Sequence, residues 1–467
     1  MQSSTDDFER ALGAIAARVF DSAPRAPDVH AVPRTMAIAY SGGLDSSVLL
    51  HLAHDYAARH GIVLVAFHIH HGLSAQADAW LDHCAQRTGE LDIVFDVRRV
   101  AVTGAGEDGI ESAARSARYA ALGALCRQHR VPLLLTAHHQ DDQAETVLLQ
   151  LLRGSGVAGL SGMDQANHAP ALLGDAQLLM GRPLLALARA ALEEIAQVRS
   201  ITHVDDDSNQ DPRYARNALR HRVMPALAAE FPGFAQRFAR TARHAQSAQR
   251  LLVELAAQDL KLCSDDDAID IDRLRGLSAD RSDNLLRYWF GVRGMRMPST
   301  AWLHEMRSQL LGAKADAQVL VGHADCDIHR HRNRIVMTPR IAVPENEPQA
   351  FVWQGEPQIR FADFGGTLCF RPAAAGQGVD AAWLRAQSLT LRWRSGGWRL
   401  KLAPNRSTRS LKYHYQDADV PAWERFRLPL VTLGKQLIYA AGLGMDCHHF
   451  STAEGDTISL RWEPDSL

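Results

Sequence analysis

Between Met36 and Ala137 short apolar runs alternate with longer stretches of helical spacing. The runs "MAIAY", "IVLVAFHI", "LDIVFDVRRV" and "VPLLLTA" read as four strands. Each leads into a segment whose apolar positions recur every three or four residues: Ser46 to His60, "SAQADAWLDHCAQRTG", "IESAARSARYAALGALCRQH" and "DDQAETVLLQLLRG". Runs of four to eight apolar residues suit buried strands, and the 3.6-residue period suits amphipathic helices. Strands and helices alternating at this length predict βαβ units, hence a doubly wound, mostly parallel α/β sheet. Ligands of such sheets sit beyond the carboxyl ends of the strands. The loops after the first, second and fourth runs open there, and they hold most of the unusual polar residues of this half.

From about Phe231 the texture changes. "FAQRFARTARHAQSAQRLLVELAAQDLKL" predicts one long amphipathic helix. Further helical stretches follow near Asp283–Trp289 and Thr300–Leu311, and then "ADCDIHRHRNRIVM" alternates like a strand. The Pro- and Glu-rich "VPENEPQA" reads as a linker. Short strands and turns fill Phe351 to Leu467. The expected domains are 1–228 (α/β), 229–343 (mainly helical, substrate-binding) and 351–467 (small, basic, α+β).

Composition narrows the class. The chain has 467 residues, 46% hydrophobic and 22% charged, with a net charge of -2. It is too long for one core and too apolar for disorder, and it is not basic throughout. Six cysteines are scattered with no C-x-x-C pair, which speaks against a disulfide framework and fits a reducing cytosol. The acidic N-terminus gives no secretory signal, and no apolar run is long enough to span a membrane.

The densest chemistry is "SGGLDSS", Ser41 to Ser47. Between a strand and a helix, Gly42 and Gly43 let backbone N–H groups converge at a helix N-terminus, where an anion is favoured. Ser41, Ser46 and Ser47 offer hydroxyl donors. Asp45 repels a phosphate, so its presence implies Mg²⁺ between the two. The Gly-Lys-Ser/Thr ending of a Walker A loop is missing. A tight turn with a helix cap is the bland alternative. In "TAHHQDDQAET", Asp142 and Glu145 are three apart and share a helix face. Acids in a first turn can merely complement the helix dipole. Beside a phosphate loop they are candidate metal ligands and bases. "HIHHGLSAQADAW" lacks a fourth zinc ligand of the usual kind. "HADCDIHRHR" reads as a strand edge with exposed basic residues rather than a zinc cluster. Arg182, and Arg216, Arg220 and Arg222 at near-helical spacing, are either surface charges or clamps for phosphates or a nucleic-acid backbone.

"SGGLDSS" resembles the pyrophosphate loop of the N-type ATP pyrophosphatase superfamily. The set "SGGLDSS", "HIHHGLSAQADAW", "HHQDDQAET", "RPLL" and "DDDSN…RNALR", in that order, is similar to tRNA(Ile)-lysidine synthetases. The likeness is weaker through "DNLLRYWFG" and returns in "RSTRSLKYHYQDADVPAWERFRLPLV". One departure is that Gly396 and Gly397 stand where many members carry Gly-Asp, so no acid is assigned there.

The resemblance implies a Rossmann-like PP-loop ATPase domain and a two-step reaction on the wobble cytidine of a tRNA(Ile) with a CAU anticodon. ATP adenylates the C2 oxygen and releases pyrophosphate; the L-lysine amine then displaces AMP to give lysidine. It implies ATP contacts at Ser41, Gly42, Gly43, Leu44, Asp45, Ser46, Ser47, His138 and Arg182, and Mg²⁺ on Asp45 and Asp142. Glu145 or Asp142 is expected to deprotonate lysine, with Arg182 and Arg216 on phosphates. The C-terminal cluster Arg392, Arg399, Lys401, Arg406, Arg409 and Lys412, interleaved with aromatics, is expected to contact tRNA. The alternative is another adenylating PP-loop enzyme, such as a tRNA thiolase.

Overall fold

The computed structural model describes residues 2–21, 33–70, 72, 74, 76–101, 109–204, 215–314, 317, 319–340, 347–452 and 456–465. The "DDDSN" stretch and the first half of "VPENEPQA" lie outside them. The chain forms two compact units, Met1–Leu252 and Val253–Leu467.

The first unit begins with α1 (Gln2–Phe20), β1 (Thr35–Ala39), α2 (Leu44–His60), β2 (Val63–His70), α3 (Ala77–Glu90), β3 (Val94–Arg99), α4 (Gly109–Gln128) and β4 (Leu133–Leu135). It continues through α5 (Gln140–Leu152), α6 (Val157–Leu160), β5 (Ala166–His168), α7 (Pro170–Leu173), β6 (Leu179–Gly181) and α8 (Arg189–Val198). The six strands order as β3-β2-β1-β4-β6-β5. All neighbours are parallel except β5 against β6. The expected doubly wound sheet is therefore present.

Its two faces follow from the period of two along each strand. Met36, Ile38, Leu64, Ala66, Leu133 and Leu135 join a core with α1, α2 and α8. Their neighbours Ala37, Val65, Phe67 and Leu134 join a second core with Tyr119, Leu122 and Leu125 of α4 and Leu173 of α7. Both faces are covered, which is why the sequence shows unbroken apolar runs rather than alternation.

After α9 (Ala215–Ala218), a π-helical turn, Leu219–Val223, and α10 (Met224–Glu230), the long helix α11 (Phe234–Cys263) runs 30 residues, as its period predicts.

The second unit holds three further cores. Strands β7 (Ser264–Asp265), β8 (Ala268–Asp270), β9 (Leu320–Gly322), β10 (Cys326–His331) and β11 (Arg334–Pro339) form an antiparallel sheet. It packs with α12 (Ile271–Arg275), α13 (Ala279–Val292) and α14 (Thr300–Gly312) around Trp289 and Phe290. Strand β10 corrects the expectation of an exposed basic edge. It lies between β11 and β9, and Arg330 is only 3% exposed. The Arg330 guanidinium donates to the carbonyls of Leu310 and Ala313 at 2.6 and 2.7 Å, closing the end of α14.

The remainder carries β12 (Gln349–Phe351), β13 (Gln358–Phe361), β14 (Gly366–Pro372), β15 (Val379–Asp380), α15 (Ala381–Arg385), β16 (Leu389–Arg392), β17 (Arg399–Leu400), β18 (Arg409–Ser410) and α16 (Leu411–Asp417). It ends with α17 (Ala422–Arg425), β19 (Leu430–Leu433), β20 (Gln436–Ala440), β21 (Gly444–Met445) and β22 (Thr457–Pro464). Within this unit, Asp419 accepts from His331 at 2.9 Å and pairs with Arg332 at 2.8 Å, and Trp423 stacks on His329.

Candidate active site

Neighbouring strands and helices fix the loop after β1. Tyr40 N–H donates to Phe67 O at 2.9 Å, and Tyr40 O lies 3.0 Å from the His68 ring. The chain then turns at Gly42, whose φ is +87°; a Cβ there would meet Cys84 Sγ at 2.9 Å and Val204 Cγ2 at 3.2 Å. Only glycine fits both the angle and the space. Gly42 O accepts from Val204 N–H at 3.0 Å. Gly43 is the N-cap of α2 and supplies no side chain, so the first N–H groups of the helix stay open toward an anion.

The serines differ from expectation. Ser46 and Ser47 are buried, and their hydroxyls donate to Gly43 O at 3.0 Å and Gly42 O at 3.1 Å. Ser41 Oγ lies 3.0 Å from Ser46 Oγ. They shape the loop, and the backbone N–H groups are its free donors.

Beyond the loop opens a cavity of about 360 Å³, lined among others by Ser41, Asp45, His138, Asp142, Arg189 and Arg220. Its acidic wall comes from the start of α5. His139 N–H donates to Asp142 Oδ2 at 3.0 Å, which pins the first turn. The His139 ring is 1% exposed and lies 3.3 Å from Asp142, 3.5 Å from Asp45 and 3.7 Å from Asp141. Burial opposes a charge on this imidazole, but the three carboxylates outweigh it and push its pKa up to about 10. In return His139 is the first cause that keeps Asp141 ionised. Asp142 is penalised by burial, yet His139 leads the cations that hold its carboxyl below the usual range. His138 differs: burial keeps it neutral, and its Nδ1 lies 2.9 Å from Thr136 Oγ1.

Asp142 and Glu145 share one helix face, as their spacing predicts, and two arginines bridge them. Arg216 Nε donates to Glu145 at 2.8 Å, and its Nη2 donates to Asp142 at 3.3 Å. Arg220 Nε donates to Glu145 at 2.6 Å, and its Nη2 donates to Asp142 at 3.0 Å and Glu145 at 3.1 Å. Glu145 itself is 1% exposed.

Asp45 and Asp142 meet at His139, and Asp45 Oδ1 is buried with no hydrogen-bond partner. An orphaned carboxylate oxygen at an anion-binding loop fits a divalent cation. Two carboxylates suffice for Mg²⁺, which keeps waters and takes phosphate oxygens.

Some candidates lie outside the cavity, and some of its lining residues carried no assignment from sequence. Arg182 does not line the cavity: it is 6% exposed, and its Nη1 donates to Asp164 O and Asn167 Oδ1, both at 2.7 Å. Arg222 is exposed, away from the Arg216–Arg220 bridge. Arg118, Tyr119 and Arg189, unassigned from sequence, line the cavity. Arg189 also ties the wall together through its N–H to Asp141 at 2.9 Å. In the C-terminal region Arg399, Arg406, Arg409 and Lys412 are exposed, whereas Arg392 and Lys401 are half-buried.

Known proteins are similar to this chain in sequence. The PP-loop domain family matches residues 16–227, the TilS substrate binding domain 269–336 and the TilS substrate C-terminal domain 389–462. The tRNA(Ile)-lysidine synthase of Burkholderia pseudomallei (strain K96243) is 41% identical over 465 residues, covering 92% of this chain and 94% of the relative. The chain belongs to the tRNA(Ile)-lysidine synthase family. The synthase of Ralstonia nicotianae is also 41% identical, over 92% of this chain and 93% of its own length. That of Coxiella burnetii is 36% identical, over 87% and 88%. As a member of this family the chain is an enzyme, with ATP the nucleotide implied by its PP-loop domain. No described helix is long and apolar enough to cross a membrane.

Proposed function

We propose that this enzyme joins L-lysine to C2 of the wobble cytidine of a tRNA(Ile) with a CAU anticodon. The observation that carries the reading is one cavity bounded by an open phosphate loop, the Asp45–Asp142 pair and Arg220, which together with Arg216 bridges Asp142 to Glu145. The family's tRNA(Ile)-lysidine synthases at 36–41% identity support the substrate.

The C2 oxygen of cytidine is a poor leaving group. In the first step that oxygen bonds to the α-phosphorus of ATP and pyrophosphate departs. The loop N–H groups and the N-terminus of α2 hold the departing pyrophosphate, where negative charge accumulates. Asp45 and Asp142 would hold Mg²⁺, which supplies charge neutralisation at the phosphates. In the second step the lysine nitrogen bonds to C2 and the C2–O bond breaks, so the oxygen leaves on AMP.

The lysine ammonium must lose a proton first. At pH 7 this costs roughly 4.6 kcal/mol from an ordinary pKa of about 10.4. Glu145 is the carboxylate for this task, but as folded both its oxygens accept from arginines. We therefore assign an exchange. Arg216 and Arg220 turn to the phosphates when ATP enters, and Glu145 is released to orient the amine and take its proton. The bonds suit this, because guanidinium pairs equally with carboxylate and phosphate. Asp142 is disfavoured as the base, since its cations lower its proton affinity.

The testing experiment offers the enzyme ATP, lysine and tRNA with labelled lysine. Lysine bound covalently to tRNA, with stoichiometric AMP, is expected. AMP without transfer would favour a different adenylating enzyme of the PP-loop type.

A further inference from the structure

The seven cations between Arg392 and Lys412 stand in a stretch with no acidic residue. None of them has an ion-pair partner among the described residues; the nearby Asp419 is engaged by His331 and Arg332. Within this patch one pair differs from a merely charged surface. The Arg409 guanidinium sits 4.1 Å from the centroid of the Tyr413 ring. Tyr413 is 43% exposed, so the ring is open to solvent while the cation lies against it.

The pair is built, not incidental. Arg409 opens the strand β18 and pairs with Leu400 of β17. Ser410 caps α16 by accepting from Tyr413 N–H, which sets the first turn and places position 413 one turn beyond 409. Arg409 Nε donates to Ser407 Oγ at 3.2 Å, and Arg399 Nη2 donates to Thr408 O at 2.7 Å. Both hold the connecting loop. Lys412 is exposed beside the ring, and Arg406 is exposed on the loop.

We propose that Arg409 and Tyr413 form a stacking platform for one unpaired base of the RNA substrate, with Lys412 and Arg406 on the flanking phosphates. The step from charge to chemistry rests on the ring. A duplex covers the faces of its bases, so a pre-positioned aromatic face has use only for a base that is splayed out. Stacking plus a cation behind the ring is sequence-tolerant, so the platform grips rather than reads. An acidic protein would use the cations but leave the ring face unexplained. The inference rests on the proposed tRNA reading, and it adds which structural class of nucleotide this surface takes. The unpaired base comes either from the 3′ end of a tRNA or from one of its loops.

The test uses the full chain and three labelled RNAs, followed by anisotropy: a single strand of roughly 8 nucleotides, a blunt duplex, and tRNA(Ile) with or without its unpaired 3′ nucleotides. Tyr413→Ala is expected to weaken single-strand binding roughly 5- to 150-fold and duplex binding by less than about 2-fold. Tyr413→Phe keeps the ring and is expected to bind as the unaltered chain does, which separates lost stacking from lost folding. Lys412→Ala is expected to weaken all three RNAs and lower the salt slope by about one. If removing the 3′ nucleotides abolishes the Tyr413→Ala effect, the base comes from the 3′ end; if the effect persists, it comes from a loop. Equal loss on duplex and single strand, or no loss on either, overturns the platform. The proposed reaction is judged separately by covalent lysine on tRNA made by the unaltered chain, so either idea can fail alone.

Discussion

Replacing Glu145 by glutamine is the sharpest local perturbation. The side chain keeps its shape and loses its charge. In the folded site Glu145 accepts three N–H groups, at 2.8 Å from Arg216 and at 2.6 and 3.1 Å from Arg220. An amide has one acceptor oxygen, and its NH₂ would point at a guanidinium donor, so one N–H is orphaned and another repelled. A hydrogen bond to a charged group is worth about 1.5–3 kcal/mol, and breaking a buried pair costs about 3–5 kcal/mol. The arginine side chains are 27% and 28% exposed, so water recovers part of this. The expected loss is about 2–3 kcal/mol of folded-state stability, while losing the proton acceptor is expected to slow lysine transfer by roughly 10²- to 10⁴-fold. The assay is single-turnover transfer at saturating lysine, run as a double-mutant cycle with Arg220→Ala. A coupling energy above about 1 kcal/mol is expected for groups in one network. Normal transfer by Glu145→Gln at saturating lysine, or strictly additive effects, would refute both the bridge and the proton role.

Gly42→Ala forces a side chain onto φ +87° and to within 2.9 Å of Cys84 Sγ; the left-handed strain alone costs about 1–3 kcal/mol, and the rise in melting temperature on adding ATP should vanish. A full ATP-induced rise would show that the loop is not the phosphate site. His139 makes stability pH-dependent: its pKa is raised to about 10, so its contribution is complete below the ordinary histidine value and is lost as pH climbs toward 10. Asp141 and Asp142 have lowered pKa values, so theirs is present above the ordinary carboxylate range and lost on acidification through the lowered values. His139→Asn should therefore flatten the alkaline limb of a melting-temperature profile; an unchanged limb counts against the carboxylate cage. Truncation after Gln349 removes two cores made only of residues 353–462. It should weaken tRNA binding far more than ATP binding, as filter binding and calorimetry would show, whereas equal losses would mark a merely structural domain.

The sequence carried the first sheet because its central strands are buried on both faces. "MAIA" and "LLL" admit no other reading once helices flank them, and Ala37 and Ile38 do pack on opposite cores. The outer strands were illegible for the complementary reason. "ANH" and "LMG" span three residues each, too short to show any period, and they exist because β4 offers an edge. At the site, Asp142 and Glu145 were readable because helix spacing places them together. The partners of Arg182 were hidden because a conspicuous Arg-Pro says nothing about them; only the fold brings the Asp164 carbonyl to its guanidinium. The His139 cage and the Arg189 tether join residues far apart in the chain, so no local pattern could announce them. Arg330 shows the same limit, since alternation gave its strand but not the sheet's edge.

The central claim is that one cavity adenylates a tRNA base and then hands it lysine. The direct measurement is mass analysis of the wobble nucleoside after incubating the enzyme with ATP, lysine and tRNA(Ile) carrying a CAU anticodon. The account predicts a cytidine-derived nucleoside that has gained lysine with loss of water, one AMP per modification, and neither product when ATP or lysine is omitted. Unmodified cytidine in the presence of steady AMP release, or modification without lysine, would contradict it.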